Sequence, residues 1–299
     1  TQVDIFSIVK DAEKTLGANQ EIVILKSKNS FSFYDLLFQS TEEANQDVYG
    51  ILTFPGDSKK SSYNKKAAII GVAGSKGWGE HHYGYMERYL DAGFATLILH
   101  SFKSRNVSST IGEQISATTS MLVNDAYQAL KALSNNERID KNNIGITGWS
   151  LGGGVALFTA WKPVKDIISP DYTFAAHLPI YPPCMVRPEN LSFTESPIHI
   201  LIGENDNWVP ADACVEFESI MKDYGYNFNV TVYDDSYHSF DRVSSVSVQE
   251  NAYSFSDCRL KIRDDGAVLM NYLNIPMTSP ILQKIGLAFC VERGPIVGG

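Results

Sequence analysis

The pentapeptide Gly148-Trp149-Ser150-Leu151-Gly152 sets a serine between two glycines. Placed between a strand and a helix, such a G-x-S-x-G forms a sharp turn that lifts the serine hydroxyl above a sheet. A hydroxyl presented in this way can attack a carbonyl carbon once a base takes its proton and a third group holds the base. Two later loops supply both. Gly203-Glu204-Asn205-Asp206-Asn207-Trp208 carries an acid, and Asp234-Asp235-Ser236-Tyr237-His238-Ser239 carries a histidine. Ser150, Asp206 and His238 follow one another as nucleophile, acid and histidine, the order that accompanies this turn when it is catalytic. His238 is expected to accept the serine proton and return it to a leaving alkoxide, with Asp206 fixing the imidazole tautomer. Glu204 is the rival acid. Asp234 and Asp235 stand too close to His238 in sequence to reach its far side. Alone, the pentapeptide is an ordinary glycine-rich turn, and an incomplete set of three would point to a non-catalytic binding protein.

A tetrahedral intermediate also needs donors for its oxyanion. The Leu151 amide, at the start of a helix, is the first expected donor. The second is expected from Gly74-Ser75-Lys76-Gly77-Trp78, at Ser75 with Lys76 the next choice. This glycine cluster fits neither phosphate-binding pattern. Trp78, Trp149 and Trp208 all fall at strand ends, where they could wall an acyl or alcohol pocket. His81 and His82 open a helix just after the glycine-rich loop, so one of them could line the mouth of that pocket. His177 and His199 read as hydrogen-bonded core or near-core residues, and His100 is ambiguous.

These residues need a frame. Glu21–Lys26, Val48–Phe54, Lys66–Val72, Ala95–His100, Asn143–Thr147, Thr173–Ile180, Ile198–Ile202 and Asn227–Tyr233 read as strands, most of them apolar throughout. Helices are expected over Glu80–Ala92, about Glu113–Leu133, Val155–Trp161 and Ala211–Tyr224. Buried strands alternating with helices predict an α/β fold: a doubly wound, mostly parallel sheet with helices on both faces. Ligands gather at the carboxyl ends of such strands, where all the residues above lie. We expect one domain over 1–299, with 258–299 an appendage packed on it that holds a helix over Asp265–Leu273.

The chain has 299 residues, 44% hydrophobic and 20% charged, with a net charge of −9. Length and balance fit a globular chain with a sizeable core, not a disordered or coiled-coil one. The acidic balance without a basic cluster argues against nucleic acid or an anionic membrane as partner. No apolar run reaches the roughly 18–20 residues of a membrane span. Residues 1–20 lack a basic start and an apolar core, so no signal peptide stands in the sequence as given. Cys184, Cys214, Cys258 and Cys290 form no CxxC and no zinc spacing, so no metal is expected. They could be free thiols or two disulfides, with three pairings open. Disulfides would place the chain in the periplasm or outside the cell, free thiols in the cytoplasm.

The acid loop GENDNWVPADAC, the histidine segment VTVYDDSYHSFD and Ser101-Phe102-Lys103-Ser104-Arg105 together resemble the dienelactone hydrolase family of α/β-hydrolases, over about residues 45–245. The resemblance implies that fold and hydrolysis of carboxylic esters or lactones by a nucleophile–His–Asp triad, with no cofactor and a small-molecule ester as substrate. The founding enzymes use a cysteine nucleophile. Ser150 stands there, which favours general esterase activity over dienelactone cleavage. Ala73-Gly74 replaces the His-Gly common before the oxyanion loop. The Gly148–Gly154 elbow is also similar to that of cutinase-like polyester hydrolases. The resemblance places Cys184 and Cys214 after neighbouring strands, which favours that pair and leaves Cys258 with Cys290 to tie down the appendage.

Overall fold

The computed structural model describes residues 5–38, 44–56 and 64–298. The first four residues of the segment searched for a leader, and Gly299 at the end of the appendage, lie outside them. The elements follow in the order α1 (Ile5–Glu13), β1 (Gln20–Ser27), α2 (Phe33–Phe38), β2 (Gln46–Thr53), β3 (Lys66–Val72), α3 (Glu80–Asp91), β4 (Ala95–Leu99), α4 (Ser101–Ser104), α5 (Thr119–Ser134), β5 (Ile139–Trp149), α6 (Leu151–Phe158), α7 (Lys162–Ile168), β6 (Ala176–Ile180), β7 (Val186–Pro188), β8 (Ile198–Gly203), α8 (Ala211–Asp223) and β9 (Phe228–Tyr233). After them come β10 (Ser247–Val248), β11 (Tyr253–Ser254), β12 (Leu260–Ile262), β13 (Val268–Leu269), α9 (Pro280–Leu287), β14 (Glu292–Arg293) and β15 (Ile296–Val297).

Eight strands form one sheet in the order β1-β2-β4-β3-β5-β6-β8-β9. Pairing is parallel from β4 to β9, while β2 runs against both β1 and β4. The central strands are buried almost throughout, as β3 (KAAIIGV) and β4 (ATLIL) require if helices cover both faces. Helices α5 and α6 pack on each other and on the sheet. Helix α1 sets Ile5, Val9 and Ala12 against Tyr49 in a separate apolar cluster. This is the expected α/β-hydrolase architecture.

Two helix starts and one whole helix differ from expectation. Helix α5 starts at Thr119, not near Glu113, because Thr118 caps it by accepting the Met121 amide through its Oγ1 at 3.3 Å. Helix α6 begins directly after Ser150, at Leu151, rather than at Val155. The helix expected over Asp265–Leu273 is absent. Asp265-Gly266 instead turns the β12–β13 hairpin: Gly266 takes φ 81° and the Asp265 carboxylate accepts the Ala267 amide at 3.1 Å. The helix of that region is α9, started by Ser279 accepting the Leu282 amide and by Pro280 in the first turn.

Strand β12 pairs in parallel with β7 and antiparallel with β13, so the last part of the chain is stitched to the loop after β6. Of two disulfides, Cys184–Cys214 joins the loop after β6 to α8, and Cys258–Cys290 closes the terminal segment on itself. They close loops of 30 and 32 residues, each worth about 3–4 kcal/mol if the gain is unfolded-chain entropy. Arg105, from the family-like Ser101–Arg105 segment, is structural. Its guanidinium grips Asp125 through two hydrogen bonds of 2.7 and 2.9 Å, with both side chains buried.

Candidate active site

Strand β5 delivers Ser150 to the carboxyl edge of the sheet, and α6 starts on the next residue. Ser150 takes φ 55° and ψ −111°, a conformation rarely occupied by a residue with a Cβ and held here by the packing around it. A Cβ at Gly152 would stand 2.1 Å from the Val72 carbonyl oxygen, so the helix can start this close to β3 only with glycine there.

The other two residues arrive from the next strand ends. Asp206 follows β8 and His238 follows β9, and both side chains are buried. The Ser150 hydroxyl donates to His238 Nε2 at 3.0 Å. His238 Nδ1 donates to Asp206 Oδ2 at 2.7 Å. The second carboxylate oxygen of Asp206 accepts the amides of Trp208 at 3.0 Å and Val209 at 2.9 Å. Those two bonds lock the carboxylate, and the carboxylate locks the ring. Tyr181 and Trp208 pack against the imidazole at 4.7 and 4.8 Å between centroids, and the Gly298 amide donates to the His238 carbonyl at 2.9 Å. Glu204, the rival acid, points away and accepts the Asp235 amide at 3.1 Å.

The loop after β3 passes directly over Ser150. A Cβ at Gly74 would lie 3.0 Å from the Trp149 carbonyl oxygen and 3.5 Å from Ser150 Cβ. Ser75 and Leu151 both line the space in front of the Ser150 hydroxyl. As the first residue of α6, Leu151 has an amide with no carbonyl one turn earlier to donate to. Lys76, the next choice, turns its ammonium to Gln249.

That space opens into a largely apolar cavity of about 170 Å³, which reaches Phe158, Met185 and Trp208. Of the three tryptophans, Trp208 lines it. Trp149 is fully buried behind the serine, packed on His82 at 4.5 Å. Trp78 is not part of the cavity wall, because its indole N–H is drawn to the Leu99 carbonyl at 2.9 Å on the other side of the loop after β3. His82 is buried against Trp149, and burial pushes its imidazole down to about 2, so it stays neutral. His81 lies in an open groove beside Arg242. Burial also lowers His100, stacked on Tyr49, and His177 to about 4. His177 is the expected core residue, donating from Nδ1 to the Ala156 carbonyl at 2.8 Å. His199 is hydrogen-bonded to Thr231 but exposed, because its side chain leaves β8 on the solvent side.

Much of the cavity comes from residues that carry no motif: Met185, Phe255, Leu260, Val268, Met277 and Leu287. They are ordinary apolar positions in sequence, and only chain path brings them together. Among the described residues no group of three His, Cys, Asp or Glu could hold a metal, and no helix is long and apolar enough to cross a membrane.

Residues 57–259 match the profile of the dienelactone hydrolase family. The chain belongs to the dienelactone hydrolase family. It is therefore a carboxylic ester hydrolase of the α/β-hydrolase fold. None of the curated proteins matches the sequence of this hydrolase. Among solved structures it is similar to Thermogutta terrifontis esterase 2 phosphoramylated by tabun, at 18% identity over 76% of this chain and 87% of that one, TM-score 0.56. The same esterase with propionate bound aligns at 18% identity over 75% and 86%, TM-score 0.55. A dienelactone hydrolase-like promiscuous phosphotriesterase from metagenomic libraries aligns at 14% identity over 75% and 85%, TM-score 0.54. At such identities the likeness is one of fold.

Proposed function

We propose that the hydrolase cleaves small or medium neutral carboxylic esters by acyl transfer to Ser150. The observation that carries this is the unbroken chain Ser150 Oγ–His238 Nε2 at 3.0 Å and His238 Nδ1–Asp206 at 2.7 Å. Ser150 Oγ attacks the ester carbon and its proton passes to His238 Nε2. The carbonyl oxygen, now an oxyanion, accepts the amides of Leu151 and Ser75. On collapse, the carbon–oxygen bond to the alcohol breaks and His238 gives its proton to the leaving alkoxide. A water then enters; His238 takes one of its protons as the hydroxide attacks the acyl carbon. The acid leaves as Ser150 recovers its proton from His238. Asp206 keeps the imidazole in one tautomer and stabilises the imidazolium in both halves. No cofactor is needed for this sequence of steps.

A largely apolar cavity of about 170 Å³ next to the serine supports a small or medium neutral ester. The pairing of β12 with β7 and the hydrogen bond from Gln283 to the Gln114 carbonyl support a single domain with 258–299 packed on it. Two disulfides support an oxidising compartment, periplasmic or secreted. A fluorophosphonate probe and p-nitrophenyl acetate, used on the protein and on Ser150→Ala, test the reading. Labelling and turnover are expected in the first and not in the second. An unlabelled serine in a folded protein that turns over no ester would leave the non-catalytic binding protein.

A further inference from the structure

The cavity beside Ser150 has walls of two origins. One belongs to the sheet and its loops. The other lies beyond residue 259, where the family match stops. Leu260, Val268, Met277, Gln283 and Leu287 all line the cavity from there. The first two sit on the β12–β13 hairpin, and the last two on α9. Leu260, Met277 and Leu287 are buried, so this wall is packed from behind and is not a loose flap. It is also tied at three places. The Leu260 amide donates to the Met185 carbonyl at 2.7 Å. Gln283 Nε2 donates to the Gln114 carbonyl at 2.6 Å, joining α9 to the loop before α5. Cys258–Cys290 closes the segment at its root.

We infer that this segment is the acyl-binding wall of the hydrolase, and that it selects esters with a compact apolar acyl group of about six to eight heavy atoms. The inference rests on the proposed acyl transfer to Ser150. The side is assigned by the proton. The leaving alkoxide must lie within reach of His238, which protonates it. His238 lines a second, smaller space of about 20 Å³ together with Tyr181 and Arg242, and it does not line the apolar cavity. Ser75 and Ser150 border both spaces. The ester carbonyl therefore sits at their junction. The alcohol leaves past His238, and the acyl group fills the apolar side.

Size follows from volume. An apolar cavity of about 150 Å³ holds a benzene ring. At about 170 Å³ this one takes a hexanoyl chain or a benzoyl ring, and a dodecanoyl chain overfills it. Each methylene buried raises kcat/KM by about fourfold at most, so hexanoate should exceed acetate by roughly tenfold or more.

The test measures kcat/KM for p-nitrophenyl acetate, butyrate, hexanoate, benzoate and dodecanoate, and for methyl hexanoate against hexyl acetate. The expected result is an optimum at hexanoate or benzoate, with methyl hexanoate preferred over hexyl acetate. Val268→Trp fills the wall and should lower the hexanoate-to-acetate ratio about tenfold. Leu287→Ala opens it and should move the optimum to a longer chain. Ile281→Trp, on the exposed outer side of the same helix, should leave the ratio unchanged. An optimum at acetate, a ratio blind to both wall variants, or a preference for hexyl acetate would overturn the acyl wall while Ser150 labelling left the triad standing. Failure of Ser150 labelling together with all turnover would remove both readings.

Discussion

The loops that carry Ser150 and Asp206 border the same apolar cavity as the segment from Cys258 to Cys290, and the His238 loop borders the smaller space beside it, but loops and segment are held by different means. The three loops leave strands of the large sheet: β5 and β8 are paired on both sides, and β9 is an edge strand paired with β8. Their side chains are then fixed by specific bonds, such as the two amides on Asp206. The terminal segment has strands of two or three residues and one eight-residue helix. Pieces that short do not hold themselves together. A disulfide, a three-residue pairing to β7 and apolar burial do it instead. Chemistry demands sub-ångström placement, which a sheet edge provides. A pocket wall demands only shape, which a stapled segment provides.

If that division holds, damage to each region should read out differently. Asp206→Asn should lower kcat by about 10⁴-fold, because the imidazole would be held in the wrong tautomer, while the preference among acyl chains stays as it is. Steady-state kinetics over the ester series checks both halves of that statement. Removing the Cys258–Cys290 bridge with paired serine substitutions should cost about 3–4 kcal/mol in denaturant unfolding and blur the preference among acyl chains. A loss of kcat on acetate as large as that of Asp206→Asn would show that the wall also positions the triad.

Acid should act first through the buried histidines, all of which lie outside the terminal segment. Burial holds His82 near 2 and His100 and His177 near 4 in the folded protein, whereas an unfolded histidine titrates near 6.5. The unfolded chain therefore binds protons that the folded one refuses. Stability is full above about pH 6.5 and falls as the pH drops toward 4, by up to about 1.4 kcal/mol per pH unit for each of these histidines. No histidine lies beyond residue 238, so none of this loss arises in the terminal segment. Thermal unfolding between pH 7 and 4.5 tests the direction; a melting temperature that rises on acidification would contradict it. The smallest effect is expected at Glu204. Turned to the Asp235 amide, it should tolerate Glu204→Gln within about twofold in kcat/KM. A loss comparable to that of Asp206→Asn would reassign the acid.

The two regions were also unequally legible. The strands under the candidate site could be read because β3, β4 and β8 are apolar runs bounded by turn residues, a pattern with few other uses. The elbow, the acid loop and the histidine loop could be read because each needs particular residue types at a strand end. Where local chemistry was ambiguous, the reading slipped. The apolar residues after Asp265-Gly266 looked helical, yet the Asp-Gly turn won and made a hairpin. Trp78, placed by its strand-end position in a pocket wall, was claimed by the Leu99 carbonyl instead.

What the sequence by itself determined is the set of candidate reacting groups, their order along the chain and the kind of sheet that carries them, since these follow from local periodicity and from turn chemistry. What only the tertiary structure decided is the partnering: that Asp206 rather than Glu204 faces His238, that Leu260, Val268, Met277 and Leu287 close over Ser150, and how large a space they leave. The reason is physical. A turn is written in a few consecutive residues, but a cavity is the gap between surfaces whose residues lie over 100 positions apart, and no local preference encodes its volume.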